Sequence, residues 1–173
     1  PKREARAKRM LKGLGYKDYE NKVAVTPDTQ FAIGSATKAF TALSVLMSMD
    51  EGKLSLEDSP KKVLPYFKMF DPDADKNILI RDLLSHSSGL NRTDLAMITG
   101  KLNRAELIQV AAQAKPTGKL REKFQYQNIM YRAAGQSVAA ASGMSWEEFV
   151  TRRILSPLGM KNTSFTPAEA ERN

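Results

Sequence analysis

The stretch Phe31-Ala32-Ile33-Gly34-Ser35-Ala36-Thr37-Lys38 decides how the rest of this 173-residue chain reads. A short apolar run, read as a strand, closes on a glycine that permits a tight entry. A serine then opens a segment with apolar Phe40, Leu43, Leu46 and Met47 at helical spacing. That spacing predicts a helix from about 36 to 50, stopped by Gly52. Ser35 and Lys38 lie three residues apart, so they share one helix face. The helix N-terminus favours negative charge, which suits an oxyanion forming beside the serine. A lysine whose pKa is lowered by burial and neighbouring positive charge serves as a base. Ser-x-x-Lys is not specific, because Ser59-Pro60-Lys61-Lys62 also matches and there reads as a helix cap. On these residues alone, nucleophile and ordinary N-cap both stand open for Ser35, and base and surface lysine for Lys38.

Working outward, residues 11–33 read as hairpin-like. The strand candidates are Lys22-Val23-Ala24-Val25 and Gln30-Phe31-Ala32-Ile33, on either side of a Thr26-Pro27-Asp28 turn. Downstream, Asp58-Ser59-Pro60 predicts a capped short helix to about Leu64. Asp71-Pro72-Asp73-Ala74-Asp75 reads as a turn. Further helices are predicted over about 80–85, 103–114, 128–142 and 145–155. The last starts on Ser145 with Glu148 three residues on, a capping-box pattern.

A second chemical candidate, Tyr126-Gln127-Asn128, follows a polar loop and opens a helix. A tyrosine there would shuttle a proton between a serine and a leaving group, while an asparagine bonds a substrate amide and orients a lysine. Tyr-x-Asn is weak by itself, since Tyr19-Glu20-Asn21 matches it, and a core tyrosine followed by a capping asparagine is the plain alternative.

Composition removes other classes. There is no cysteine, which excludes disulfides, thiolate metal sites and cysteine nucleophiles. The only histidine is His86, which argues against a histidine-rich metal site, and no metal or cofactor is expected. The net charge is +8, yet residues 1–12 hold six Lys/Arg and one acid, leaving 21 bases against 18 acids in the remainder. A basic arm on a near-balanced body reads as a solvated tail, not as a nucleic-acid groove. No apolar run approaches the roughly 18 residues of a membrane span, and no signal-type stretch is visible. Compartment stays open.

Taken together, the motifs resemble the serine beta-lactamase and penicillin-binding-protein superfamily, especially its class C-like esterase and peptidase branch. The likeness runs from about Lys12 to Phe165. It is carried by Gly13-Leu14-Gly15-Tyr16, the Phe31–Ala42 stretch, Asp50-Glu51-Gly52-Lys53-Leu54-Ser55-Leu56-Glu57-Asp58, and Leu83-Leu84-Ser85-His86-Ser87-Ser88-Gly89-Leu90. Phe124-Gln125-Tyr126-Gln127-Asn128 and Pro157-Leu158-Gly159-Met160-Lys161-Asn162-Thr163 complete it.

The resemblance implies an α+β fold dominated by helix: the helical region and nucleophile helix of a beta-lactamase-like protein, with most of the antiparallel sheet missing. It implies a basic arm over 1–12, a strand or hairpin portion over 13–34, and the nucleophile helix with the helical region over 35–173. Ser35 would be the acylated nucleophile, with its backbone N–H as one arm of the oxyanion hole. Lys38 would activate Ser35, Tyr126 would be the acid/base partner, and Asn128 would position substrate and Lys38. His86 would belong to a structural loop. Substrate would be a small molecule or peptide with an ester, amide or lactam carbonyl, and the Tyr126–Tyr131 context leans toward a peptidase or esterase.

The family's third motif, Lys-Thr-Gly or His/Trp/Tyr-x-Gly, is not found. Thr117-Gly118-Lys119 and Thr99-Gly100-Lys101 have the letters in another order and precede Tyr126. The expectation is therefore an N-terminal fragment whose nucleophile helix has an exposed apolar back, open to self-association or to a complementing chain. A non-catalytic helical interaction module is the competing reading.

Overall fold

Small side chains place one helix at the centre of the molecule. The computed structural model describes residues 12–94, 97 and 100–171, in two compact units: Ser35–Leu158, and the described residues up to Gly34 together with those from Gly159 onward. The basic arm expected over 1–12 lies, apart from Lys12, outside the described residues. Within Ser35–Leu158 the helices are α1 (Thr37–Asp50), α2 (Pro72–Asn77), α3 (Ile80–Leu84), α4 (Arg104–Ala112), α5 (Asn128–Ser142) and α6 (Trp146–Val150). α5 buries Ile129, Met130, Ala133, Ala134, Gly135, Ser137 and Val138, and it packs against α1, α3, α4 and α6. Alanine, glycine and serine on several sides of a helix let neighbouring helices approach closely.

The face that α1 buries is not the one its large apolar residues mark. Thr41, Ser44, Val45 and Ser48 are buried. The serine hydroxyls donate one turn back, Ser44 to the Phe40 carbonyl at 2.6 Å and Ser48 to the Ser44 carbonyl at 2.9 Å, so burial strands no donor. Leu43, Leu46 and Met49 are instead 43%, 41% and 37% exposed, in line with the expected uncovered back of this helix. The core of the unit gathers Leu64, Phe67, Ile78, Ile80, Leu83, Leu90, Ile108 and Phe149. Each such side chain contributes about 1.5–3 kcal/mol when fully buried.

Caps explain where most helices start. Ser59 Oγ accepts from Lys61 N ahead of the 3-10 turn Pro60–Lys62, and Asn103 and Glu106 cap α4 reciprocally. The stretch 71–75 is not a free turn: it opens α2. Asp71 accepts from the Ala74 amide at 2.8 Å, Pro72 takes the first helical position, and Asp73 and Asp75 lie in the first turn. Asp and Pro favour helix starts as much as turns, which is why the motif misleads. At α6 only half of the expected capping box forms. Ser145 Oγ accepts from Glu148 N, while the Glu148 carboxylate pairs with Arg152 at 2.7 Å. A π-helical stretch, Thr151–Leu155, continues from α6.

In the other unit β1 (Tyr16–Asp18) pairs antiparallel with β2 (Val23–Ala24). The hairpin thus forms one segment earlier than expected. Thr26–Thr29 is a turn, with Thr29 N donating to Thr26 O, but residues 30–33 are not a strand, and Phe31 and Ile33 are exposed. An apolar run becomes a strand only when a neighbour takes up its backbone groups, and among the described residues none does. Helix α7 (Pro167–Ala170), which is not among the helices expected from the sequence, starts on a Thr166–Glu169 capping box. No described helix is long and apolar enough to cross a membrane.

Candidate active site

Ser35 and Lys38 are set by the start of α1. Gly34 has φ 52°, a left-handed conformation that costs glycine least, and it opens the 3-10 turn Gly34–Ala36 that leads into the helix. Ser35 is exposed on this turn and Lys38 is half-buried in the first turn of α1. Lys38 Nζ donates to Ser35 Oγ at 3.2 Å.

The other two expected residues arrive from 88–91 positions along the chain. Gln127, the N-cap of α5, is extended (φ −136°, ψ 110°), so Tyr126 and Asn128 project to one side and Gln127 to the other. Lys38 Nζ donates to Tyr126 Oη at 2.6 Å and to Asn128 Oδ1 at 2.7 Å, and the Ser35 and Tyr126 hydroxyls are hydrogen-bonded to each other. Ser35, Lys38, Tyr126 and Asn128 therefore form one hydrogen-bonded cluster. The hydrogen bond from Lys38, then that from Ser35, holds the Tyr126 phenol below the ordinary tyrosine value, and the charges of Lys38 and Arg92 add to this.

His86 anchors the scaffold behind Tyr126. Its Nδ1 accepts from Gln127 N at 3.0 Å and its carbonyl accepts from Gln125 N at 2.8 Å. Nδ1 as acceptor makes the ring the Nε2–H tautomer. The ring stacks on Tyr126 at 4.5 Å and on Tyr131 at 4.9 Å. Burial, then the nearby Lys38 charge, pushes His86 below the ordinary histidine value. Its turn is held from the far side by Asp82, which is buried and accepts from Arg121 Nε and Nη2 at 2.9 and 2.8 Å, and by Arg121 N, which donates to Ser87 O. Gly89, at φ 81°, completes the turn. A Cβ there would lie 2.4 Å from the Gly118 carbonyl oxygen, so only glycine fits.

Three residues of this neighbourhood were not singled out from the sequence. Gln127, fully buried, donates through Nε2 to Asn91 O at 2.7 Å and Thr93 Oγ1 at 3.0 Å, while its Oε1 accepts from Ile129 N. Asp94 accepts from Asn128 Nδ2 at 3.0 Å, and Arg92 pairs with Asp94 at 2.7 Å while standing 5.6 Å from the Tyr126 ring. Among the described residues no three His, Asp or Glu side chains are grouped to hold a metal ion.

A serine, a lysine three residues on and a Tyr-x-Asn segment thus meet at one point. The profile of the Beta-lactamase family matches residues 5–173. The chain belongs to the Beta-lactamase family. Protein flp of Staphylococcus aureus is 36% identical over 157 residues, which is 89% of this beta-lactamase-family chain and 32% of flp. Among solved structures, the octameric penicillin-binding protein homologue from Pyrococcus abyssi is similar with a TM-score of 0.75 and 34% identity, covering 94% of this chain and 39% of that one. D-amino acid amidase from Ochrobactrum anthropi SV3 follows at 0.73 and 29%, covering 90% and 44%. The helix-rich architecture is that of the beta-lactamase-like fold, and this chain spans about a third of the length of flp.

Proposed function

We propose that this chain carries the acylating centre of a serine hydrolase that acts on an ester, amide or lactam carbonyl. The observation behind it is the convergence of Ser35 Oγ, Lys38 Nζ and Tyr126 Oη in one hydrogen-bonded group. In the reaction the Ser35 hydroxyl proton passes to the Tyr126 oxygen while Oγ bonds to the carbonyl carbon, whose π electrons move onto oxygen. The Lys38 ammonium stabilises the phenolate form of Tyr126 that accepts this proton, and its bond to Asn128 fixes it in place. The Ser35 backbone N–H, at the start of α1, faces the developing oxyanion. On collapse the bond to the leaving group breaks, and that group takes the proton from Tyr126. Water then attacks the acyl carbonyl carbon and gives a proton to Tyr126. On collapse the bond from that carbon to Ser35 Oγ breaks, Oγ takes the proton back from Tyr126, and the acid leaves. The resemblance to a penicillin-binding homologue and to an amidase supports an acyl-amide substrate, a peptide or lactam, ahead of others. Stacking of His86 behind Tyr126 supports a positioning role for the histidine and not a triad role.

The test is incubation of the folded chain with a fluorescent penicillin and with a fluorophosphonate, read by intact mass. One adduct per chain, absent in Ser35→Ala, is expected. A folded chain with no adduct, or an adduct that survives Ser35→Ala, overturns the assignment. A folded chain with no adduct would favour the competing reading, a helical interaction module.

A further inference from the structure

Asn128 is held by a carboxylate that the reaction scheme does not use. The two ends of a carboxamide are nearly the same shape, so partners alone decide which end faces where. Lys38 Nζ only donates and it meets Oδ1 at 2.7 Å; Asp94 Oδ1 only accepts and it meets Nδ2 at 3.0 Å. Reversing the amide would set its NH2 against the ammonium and its oxygen against the carboxylate, so Asp94 locks the orientation that Lys38 needs.

Asp94 is itself held in place. Arg92 Nε donates to its Oδ2 at 2.9 Å. The loop that carries it is tied to α5 by Gln127, whose Nε2 bonds to Asn91 O and Thr93 Oγ1. Burial raises the Asp94 carboxyl, but the hydrogen bonds from Asn128 and then Arg92 outweigh it, so it stays below the ordinary carboxylate value and carries its charge at neutral pH. Three consecutive residues therefore act at one place: Tyr126 meets Ser35, Gln127 clamps the loop, and Asn128 joins Asp94 to Lys38.

We propose that Asp94 is a positioning residue of the acylating centre, acting through Asn128 to hold Lys38 against Ser35 and Tyr126. This rests on the role proposed for Ser35. The test measures the rate of fluorophosphonate labelling of Ser35 in the full chain. Asp94→Ala is expected to slow it about 10- to 100-fold, the range for a lost hydrogen bond to a charged group. Asp94→Asn keeps an acceptor toward Nδ2 and is expected to remain within about fivefold of the unaltered chain. In an Asn128→Ala background, Asp94→Ala should cost less than about twofold more, because its effect passes through Asn128. An unchanged rate in Asp94→Ala, or an equal loss in both backgrounds, overturns the proposal.

If the unaltered chain takes no label, the reading of Ser35 fails, and a second measurement still decides Asp94. The 1H–15N signal of the Asn128 side-chain amide, identified by its loss in Asn128→Ala, is expected to shift in Asp94→Ala and to exchange faster with solvent. An unmoved signal would show that Asp94 does not orient Asn128.

Discussion

Lys38 carries three N–H donors, and the site offers it three oxygens: Ser35 Oγ, Tyr126 Oη and Asn128 Oδ1. The consequence is a phenol whose base form is favoured. Because Tyr126 lies below its ordinary value, its proton-accepting form grows as pH rises through that depressed value. Acylation should therefore climb with pH and level off earlier than a free phenol, near 10, would allow. Lys38→Met removes the first cause of the depression and is expected to move the limb upward while slowing labelling about 100-fold or more. Tyr126→Phe should abolish the limb. A labelling rate flat with pH in the unaltered chain would contradict this. At this scale the sequence is informative pairwise: a helix holds residues i and i+3 on one face, and an extended segment holds i and i+2 on one side. Asp94 was not legible, because Asn91-Arg92-Thr93-Asp94 has no periodicity and its partner lies 34 positions away.

Among the elements, α5 depends on having almost no side-chain volume where α6 crosses it. A Cβ at Gly135 would stand 3.1 Å from Trp146 Cδ1. Gly135→Leu is expected to overpack the contact and destabilise by about 1–3 kcal/mol. That lowers the melting temperature by about 2–12 °C for a chain of this size, as calorimetry would show; an unchanged or higher value would mean that Trp146 swings away freely. Helix α5 was predicted to the residue, because Gln127 and Gly143 bracket one uninterrupted helical segment. The turn assigned to 71–75 and the strand assigned to 30–33 failed for different reasons. The first used residues that serve turns and helix starts alike. The second required a neighbouring strand, which local sequence does not contain.

Across the whole molecule, two properties follow from burial. His86 is buried and neutral, and it accepts a hydrogen bond through Nδ1. As pH falls below about 6.5, the unfolded chain takes up a proton there that the folded chain resists. Stability from His86 is thus complete above that pH, declines below it, and levels off once the folded ring is protonated too. Asp75 and Glu147 also sit below their ordinary values. Each contributes stability that is lost only as pH falls further, through the carboxylate range. Melting temperatures between about pH 8 and 5 should fall in the unaltered chain and be flatter in His86→Gln; equal slopes would remove His86 as the cause. The second property is the open stripe of Leu43, Leu46 and Met49 along α1. The 173-residue chain is expected to self-associate with rising concentration in sedimentation experiments, and Leu46→Glu to shift it toward monomer. A monomer throughout, with or without the substitution, would rule this out.

The sequence by itself determined the helix-rich class and most helix starts, because these rest on short-range periodicity and capping chemistry. It also determined the family likeness and the two motif pairs, because these rest on ordered local motifs. Only the tertiary structure decided three things. It brought residues 35 and 38 against 126 and 128. It gave α1 a buried face of small hydroxyl residues and an exposed face of leucines. It also drew Asp94 into the cluster. Each depends on which side of an element meets a neighbour. That choice is made by packing volume and hydrogen-bond partners between segments distant in the chain, and no local pattern encodes it.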